Sequence, residues 1–201
     1  MEECMVIGRP NAGKTCFVLN FAEYMGLKKL KLYKKQTAGY TTIQNYGIDE
    51  ARNKLISKKS NYTKNLQSIK ITIPKGKVKK TLKIVDSCGI KNGIHPDPGI
   101  REAMANTIKN IKKANLILHI IDISRINPQS ESILTSVDKM IYNYSRIENN
   151  YVILLNKIDL EKYKKNIDLI KKHYHSQNIV SISALYKKGF KNVKKMVLKY
   201  V

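Results

Sequence analysis

The chain has 201 residues, 42% hydrophobic and 26% charged, enough for one domain with a real core and too few for two domains of ordinary size. Its longest largely apolar run, Leu116–Ile121 with His119 inside it, is strand-sized, far from the roughly 18–20 residues that cross a bilayer, and the chain shows neither a lipidation motif nor a clear amphipathic anchor, so stable membrane insertion is not expected. A formal charge of +23, from 38 Lys and Arg against 15 Asp and Glu, points to a polyanionic partner such as RNA or an anionic surface, although an AT-rich genome also enriches Lys, Ile, Asn and Tyr over Arg.

Met1 leads directly into an apolar strand, Cys4–Ile7, and then a glycine motif, which leaves no room for a signal peptide and suggests a cytoplasmic protein. Lys14–Met25 follows as a helix with Phe17, Val18, Phe21, Ala22 and Met25 on one face. Lys28–Lys35 packs five lysines around Leu30, Leu32 and Tyr33 and fits no α/β alternation. Ile43–Gln67 is a polar stretch with a helix expected near Asp49–Lys59, and it reads as an insertion within a single domain spanning 1–201. Ser68–Ile73 and Thr81–Asp86 flank the turn Pro74-Lys75-Gly76-Lys77 and should form an antiparallel hairpin. Next come a helix over Ile100–Lys113, a strand over Leu116–Ile123, and a helix over Gln129–Tyr144 with Ile133, Val137, Met140 and Tyr144 inward. The strand Tyr151–Leu155, the helix Glu161–Tyr174, the strand Ile179–Ser183 and the helix Phe190–Tyr200 complete an α/β pattern with a mostly parallel sheet. Cys4, Cys16 and Cys88 are spaced for neither a disulfide framework nor a zinc site.

Gly8-Arg9-Pro10-Asn11-Ala12-Gly13-Lys14-Thr15 satisfies G-x-x-x-x-G-K-[ST] between a strand and a helix, and Cys16 continues the stretch that lies against phosphate. The glycines let backbone N–H groups curl toward phosphate oxygens, and the helix start adds its positive dipole end. Lys14 then neutralises the β- and γ-phosphates and the Thr15 hydroxyl coordinates Mg²⁺. Asn156-Lys157-Ile158-Asp159 follows the strand Tyr151–Leu155 at the carboxyl edge where ligands of open α/β sheets collect. A carboxylate at Asp159 accepts from N1–H and the exocyclic amine of guanine, donors that adenine lacks, so a stranded charge rejects the wrong base. The Lys157 stem covers one face of the base, Asn156 braces the loop or reaches N7, and Ser183-Ala184-Leu185 offers the Ala184 N–H to O6. Asp86-Ser87-Cys88-Gly89 has the pattern D-x-x-G, with Asp86 toward Mg²⁺ through water and the Gly89 N–H toward the γ-phosphate. In Ala38-Gly39-Tyr40-Thr41-Thr42, one threonine must complete the metal shell.

In this order the motifs resemble the P-loop GTPases, and Gly8–Lys14 looks specifically like the TrmE-Era-EngA branch. The resemblance covers nearly the whole chain and implies a three-layer G domain: a six-stranded, mostly parallel mixed sheet with helices on both faces. It implies GTP and GDP as ligands, GTP hydrolysis with Lys14, Thr41 and Gly89 at the reacting end, Thr41 as the switch I ligand to Mg²⁺ with Thr42 as fallback, and an RNA or ribosome partner. Ile90 stands where Ras-like enzymes orient the attacking water with a glutamine, so hydrolysis needs another device. Some members use K⁺ held by the residue matching Asn11; the competing reading is a side chain that braces the loop. His95 reads as a plain loop histidine and Cys88 as a small buried thiol. Ile43–Gln67 is a candidate surface for a protein partner or a switch-dependent dimer. The second reading of the whole is therefore a nucleotide-gated interaction module with little hydrolysis of its own. The eleven lysines between Leu160 and Val201, together with Lys28–Lys35, form the expected polyanion surface.

Overall fold

The computed structural model describes residues 1–36, 40–56, 66–75, 78–130, 132–148, 150–174 and 178–200. β1 (Glu2–Gly8) carries four consecutive residues, Cys4 to Ile7, with no exposed surface, which is the burial of a strand covered on both faces. α1 (Lys14–Tyr24) follows directly on the glycine motif, then β2 (Lys29–Lys35), β3 (Thr41–Gly47) and α2 (Ile48–Leu55). β4 (Gln67–Lys75) and β5 (Val78–Asp86) form the expected hairpin, longer than Ser68–Ile73 and Thr81–Asp86; Gly76 and Lys77 of its turn lie outside the described residues. α3 (Pro98–Ile111), β6 (Leu116–Asp122), α4 (Ser136–Glu148), β7 (Asn150–Asn156), α5 (Lys165–His173), β8 (Ile179–Ile182) and α6 (Phe190–Tyr200) complete the chain.

The sheet has eight strands in the order β3-β2-β4-β5-β1-β6-β7-β8, so the expected six-stranded sheet is corrected to eight. The two additional strands are an antiparallel hairpin at the edge, in register from Lys29↔Gly47 to Lys35↔Thr41. β2 is held by Leu30 and Leu32, both buried, while its alternate lysines face outward. The lysine-rich Lys28–Lys35 is thus a half-buried strand of period two. Part of the expected insertion, 43–56, is β3 and α2; its residues 57–65 lie outside the described residues, as do Ala38 and Gly39.

Two apolar layers sandwich the sheet. One joins α1, α2 and α6 around Phe17, Phe21 and Phe190, whose rings pack at 5.3–5.6 Å; the other joins α4 and α5 to Met5, Ile7, Ile117 and Ile153. α5 and α6 therefore lie on opposite faces, and β2 lies at the far side of the sheet from both. The lysines of 160–201 do not make the single surface expected of them. α4 begins seven residues later than expected because Asn127, Ser130 and Ser132 bond nearby backbone groups, and Thr135 caps the helix, its hydroxyl accepting from Asp138 N at 3.3 Å and donating to Asp138 Oδ2 at 2.7 Å. From that start Val137 and Ile141 face the core, and Met140, expected inward, is 48% exposed. The expected helix Glu161–Tyr174 divides into a short 3₁₀ turn, Glu161–Tyr163, and α5.

Candidate functional site

Four parallel strands, β5, β1, β6 and β7, lie side by side and end together. Their carboxyl ends carry Asp86, Gly8, Asp122 and Asn156, and the registers Val6↔Asp86, Gly8↔Ile120 and Asp122↔Asn156 set these residues along one edge. This crevice is where ligands of open α/β sheets bind.

Gly8 to Thr15 arch from β1 into α1. Gly13 has φ +100°, and a Cβ there would stand 2.3 Å from Asn156 Nδ2, so the loop passes too close to Asn156 for any side chain. Gly89 is equally constrained by Pro10, whose backbone N would lie 2.6 Å from an added Cβ, which presses the D-x-x-G turn onto the glycine loop. Asn11 sits at φ +62° with its side chain exposed, a conformation asparagine tolerates. Lys14 is only 6% exposed; its Nζ donates to the Arg9 carbonyl at 2.8 Å, and burial lowers its pKa against the opposing pull of the Asp86 charge. Cys16 is half-buried, and burial raises its thiol pKa.

Thr15 Oγ1 donates to Asp86 Oδ2 at 2.6 Å. Asp86 is buried and its Oδ1 has no hydrogen-bond partner among the described residues. Burial pushes the Asp86 carboxyl up to about 6, with the Thr15 bond and the Lys14 charge pulling the other way. A buried, half-satisfied carboxylate beside a hydroxyl is an oxygen donor set suited to a hard divalent cation. Thr41 is not brought to this pair: it opens β3, exposed, and lines a cavity of about 360 Å³ with Tyr33, Lys35 and Lys83. Thr42 belongs to the hairpin, accepting from Gln36 Nε2 at 3.1 Å and donating to the Lys34 carbonyl at 3.3 Å.

Asn156 ties the two halves of the site together. Its Nδ2 donates to the Ala12 carbonyl at 2.7 Å and its Oδ1 accepts the Ala184 N–H at 2.8 Å, so it is the brace between phosphate loop and base loop. The Ala184 N–H expected at guanine O6 is thus engaged with Asn156. Ser183 Oγ donates to Asp159 Oδ1, fixing the carboxylate expected to read the base. Leu185 is 61% exposed. Lys157, at φ +73°, turns its Nζ to Asp122 Oδ2 at 2.6 Å. Asp122 is buried and also accepts from Ser124 N and Oγ. The sequence reading missed Asp122; its signal was a lone carboxylate closing a strand that is apolar but for His119, the same position that Asp86 holds on β5.

Ile90 is 2% exposed and packs in the core beneath the sheet, so no side chain at that position faces a phosphate. Cys88 is fully buried against Ile100 and Ala103, and burial raises its thiol pKa. His95 Nδ1 accepts from Asp97 N at 3.0 Å ahead of α3, as befits a loop histidine.

A family model described as 50S ribosome-binding GTPase matches residues 3–157. Among curated proteins the chain is similar to GTPase Obg of Desulforapulum autotrophicum, at 26% identity over 109 residues, 53% of this chain and 31% of that protein. Among solved structures it is similar to a variant of Aquifex aeolicus Era bound to GDP and AlF4⁻, with a TM-score of 0.70 and 22% identity over 100% of this chain and 57% of that one. It is also similar to Era in complex with MgGDPNP and a segment of 16S ribosomal RNA, with a TM-score of 0.66 and 21% identity over 99% of this chain and 56% of that one. The chain thus spans less than two thirds of the length of each of these relatives. Among the described residues no helix is long and apolar enough to cross a membrane.

Proposed function

The chain belongs to the 50S ribosome-binding GTPase family, and from that premise we propose that it binds GTP and GDP, hydrolyses GTP to GDP and phosphate, and works in the cytoplasm as a switch on RNA or the ribosome. The observation that carries the reading is the brace at Asn156, which joins Ala12 of the phosphate loop to Ala184 of the base loop at 2.7 and 2.8 Å and makes one rigid frame for a base and a triphosphate tail.

Within that frame the roles follow from chemistry. Backbone N–H groups of Gly8 to Thr15 and the amino end of α1 hold the phosphates, and the poorly hydrated Lys14 ammonium meets the β- and γ-oxygens. Asp159 reads N1–H and the amine of guanine, while Lys157, fixed by Asp122, lays its stem on the base. Thr15 Oγ1 and Asp86 Oδ1 are the oxygens that would hold Mg²⁺, directly and through water; when bound, the ion neutralises charge between the β- and γ-phosphates. No group of three His, Cys, Asp or Glu side chains gathers among the described residues, which fits a cation held largely by the nucleotide. The Gly89 N–H would donate toward the γ-phosphate, and Thr41 would be free to serve as a metal ligand only if the β2–β3 hairpin gave up its Lys35↔Thr41 pair.

The burial of Ile90 favours slow hydrolysis unaided, and with it the second reading, an interaction module gated by nucleotide. K⁺ at the exposed Asn11 is the device we propose for acceleration. Titration calorimetry with GDP and ADP tests the first claim, and equal affinities would refute it. Single-turnover phosphate release in K⁺ and in Na⁺ tests the second: faster release in K⁺ supports the enzyme reading, whereas negligible release in both supports the module. RNA contact rests on the lysines, borne on several faces, and the Era complex with ribosomal RNA lends support by likeness of fold. Binding through phosphates should fall steeply with salt.

A further inference from the structure

We propose that Arg52 of α2 is a positioning residue for the base loop, and that through it α2 governs the release of guanine nucleotide. The proposal rests on the guanine reading of residues 156–185 given above. It starts from three polar residues that the nucleotide chemistry leaves unused: Asn20 and Glu23 on α1, and Arg52.

α2 docks on α1 with Ala51 fully buried and Ile48 7% exposed, which brings the Arg52 guanidinium over α1. Asp49, one turn earlier, holds Nη1 at 2.5 Å. The fork then makes two further contacts: Nε donates to Asn20 Oδ1 at 2.8 Å, and Nη2 pairs with the Glu23 carboxylate. Each of these partners reaches onward to the base loop. Asn20, 4% exposed, donates from Nδ2 to the Ala184 carbonyl at 2.7 Å and the Leu185 carbonyl at 3.4 Å. Glu23 Oε2 pairs with Lys187 Nζ at 2.5 Å.

One guanidinium thus holds both ends of 184–187, through one α1 residue each. Beyond these contacts the segment is held by the Ala184 N–H on Asn156, by the Tyr186 N–H on Ser183 Oγ at 3.2 Å and by the bridge between Ser183 and Lys188 at its base. Leu185 and Tyr186 are 61% and 62% exposed, Lys187 is in the left-handed region at φ +58°, and apolar packing begins again only at Phe190. At its other end α2 follows β3 without a linking residue, and β3 begins at Thr41. A partner that lifts α2 from α1, or a shift of the switch I strand, withdraws Arg52. Asn20 Oδ1 and one bond to Glu23 are then left unmade, the loop over the base loosens, and nucleotide leaves faster. Arginine suits the task because a planar fork serves two acceptors at fixed angles, which an ammonium cannot.

The test follows dissociation of a fluorescent GDP analogue from the full chain by stopped flow, with Arg52→Ala, Arg52→Lys and, as control, Lys54→Ala, whose partner Glu50 lies on the same helix. Arg52→Ala should release GDP roughly tenfold faster, with the association rate within about twofold and pyrophosphate affinity unchanged, because the phosphate loop is not touched. Arg52→Lys should fall between, and it carries the test if the alanine variant does not fold. Lys54→Ala should match the parent. Unchanged release from both Arg52 variants, or parallel loss of GDP and pyrophosphate, would overturn the assignment. A parent chain that bound GDP no better than ADP would instead remove the guanine reading beneath it.

Discussion

The carboxyl edge of β5, β1, β6 and β7 and the arm formed by β2, β3 and α2 are built on different principles. At the edge, functional side chains stand at the ends of strands that are buried along nearly their whole length, so their positions are set by the core. In the arm, β3 has no fully buried residue and α2 has eight residues with only Ile48 and Ala51 buried. The edge is held by packing and the arm by a few anchors and ion pairs. Chemistry that must not move is therefore placed at the edge, and the arm is the part that can respond to a partner.

The sharpest way to break this contrast is at the edge. On the proposed reading of guanine, Asp159→Asn replaces the acceptor of two guanine donors by an amide whose N–H₂ faces them, and the preference for GDP over ADP should fall on the order of 10³-fold by calorimetry. The fold should persist, since Asp159 is only half-buried. In the arm, the corresponding test is an anchor. Leu32→Ala removes a side chain 4% exposed that joins the core across β2, and chemical denaturation should report a loss of about 2–5 kcal/mol. If the loss were near zero, the arm would be detached from the core and the contrast would be one of folded against loose.

The same contrast explains what could be read in advance. Gly8–Thr15, Asp86–Gly89 and Asn156–Asp159 were legible because ligand chemistry demands those residue types at those spacings, and because long apolar strands mark where each motif begins. The phosphate loop, both strands of the β4–β5 hairpin and the helix Phe190–Tyr200 lie where expected. The arm was illegible for a physical reason. In Lys29–Lys35 a period-two pattern of Leu30 and Leu32 was present but outweighed by lysines, and in Thr41–Gly47 no residue is buried enough to leave a pattern. Asp122, Asn20 and Arg52 act through partners 29–165 positions away in sequence, and no local rule reports such pairs.

A smaller effect lies just below the edge. His119, fully buried on β6, places Nε2 3.1 Å from Asp138 Oδ1 and Nδ1 2.6 Å from the Tyr151 hydroxyl, and Thr135 donates to Asp138 Oδ2 at 2.7 Å. Burial raises the Asp138 pKa, but the bond and charge of His119, the Thr135 hydroxyl and the Arg9 charge together bring it below the usual carboxylate range. A carboxylate lowered in the folded state adds stability above its unfolded pKa and loses it as pH falls through the folded value. Asp138→Asn should therefore cost about 1–3 kcal/mol near neutrality, and the gap from the parent should close in acid, below about pH 4, in denaturant titrations at each pH. A gap independent of pH would mean that shape, and not charge, is what Asp138 supplies.

The smallest predicted effect is the most pointed for the arm. Ile43 projects from the edge strand β3 and is 52% exposed, opposite Tyr33 of β2 in the antiparallel register. If β3 is held by its backbone ladder to β2 and not by side-chain burial, Ile43→Lys should change stability by no more than about 0.5 kcal/mol, as substitutions at unburied surface positions do. It should also leave GDP release unaltered, because Arg52 reaches the base loop through α2 and α1 without passing through this side chain. A larger loss of stability would show that Ile43 is covered in the native chain, and the arm would then have a packed outer face of its own. Denaturation and release measured on the same variant separate these outcomes, because a β3 held by its ladder, in an arm anchored by Leu30, Leu32, Ile48 and Ala51, predicts no change in either.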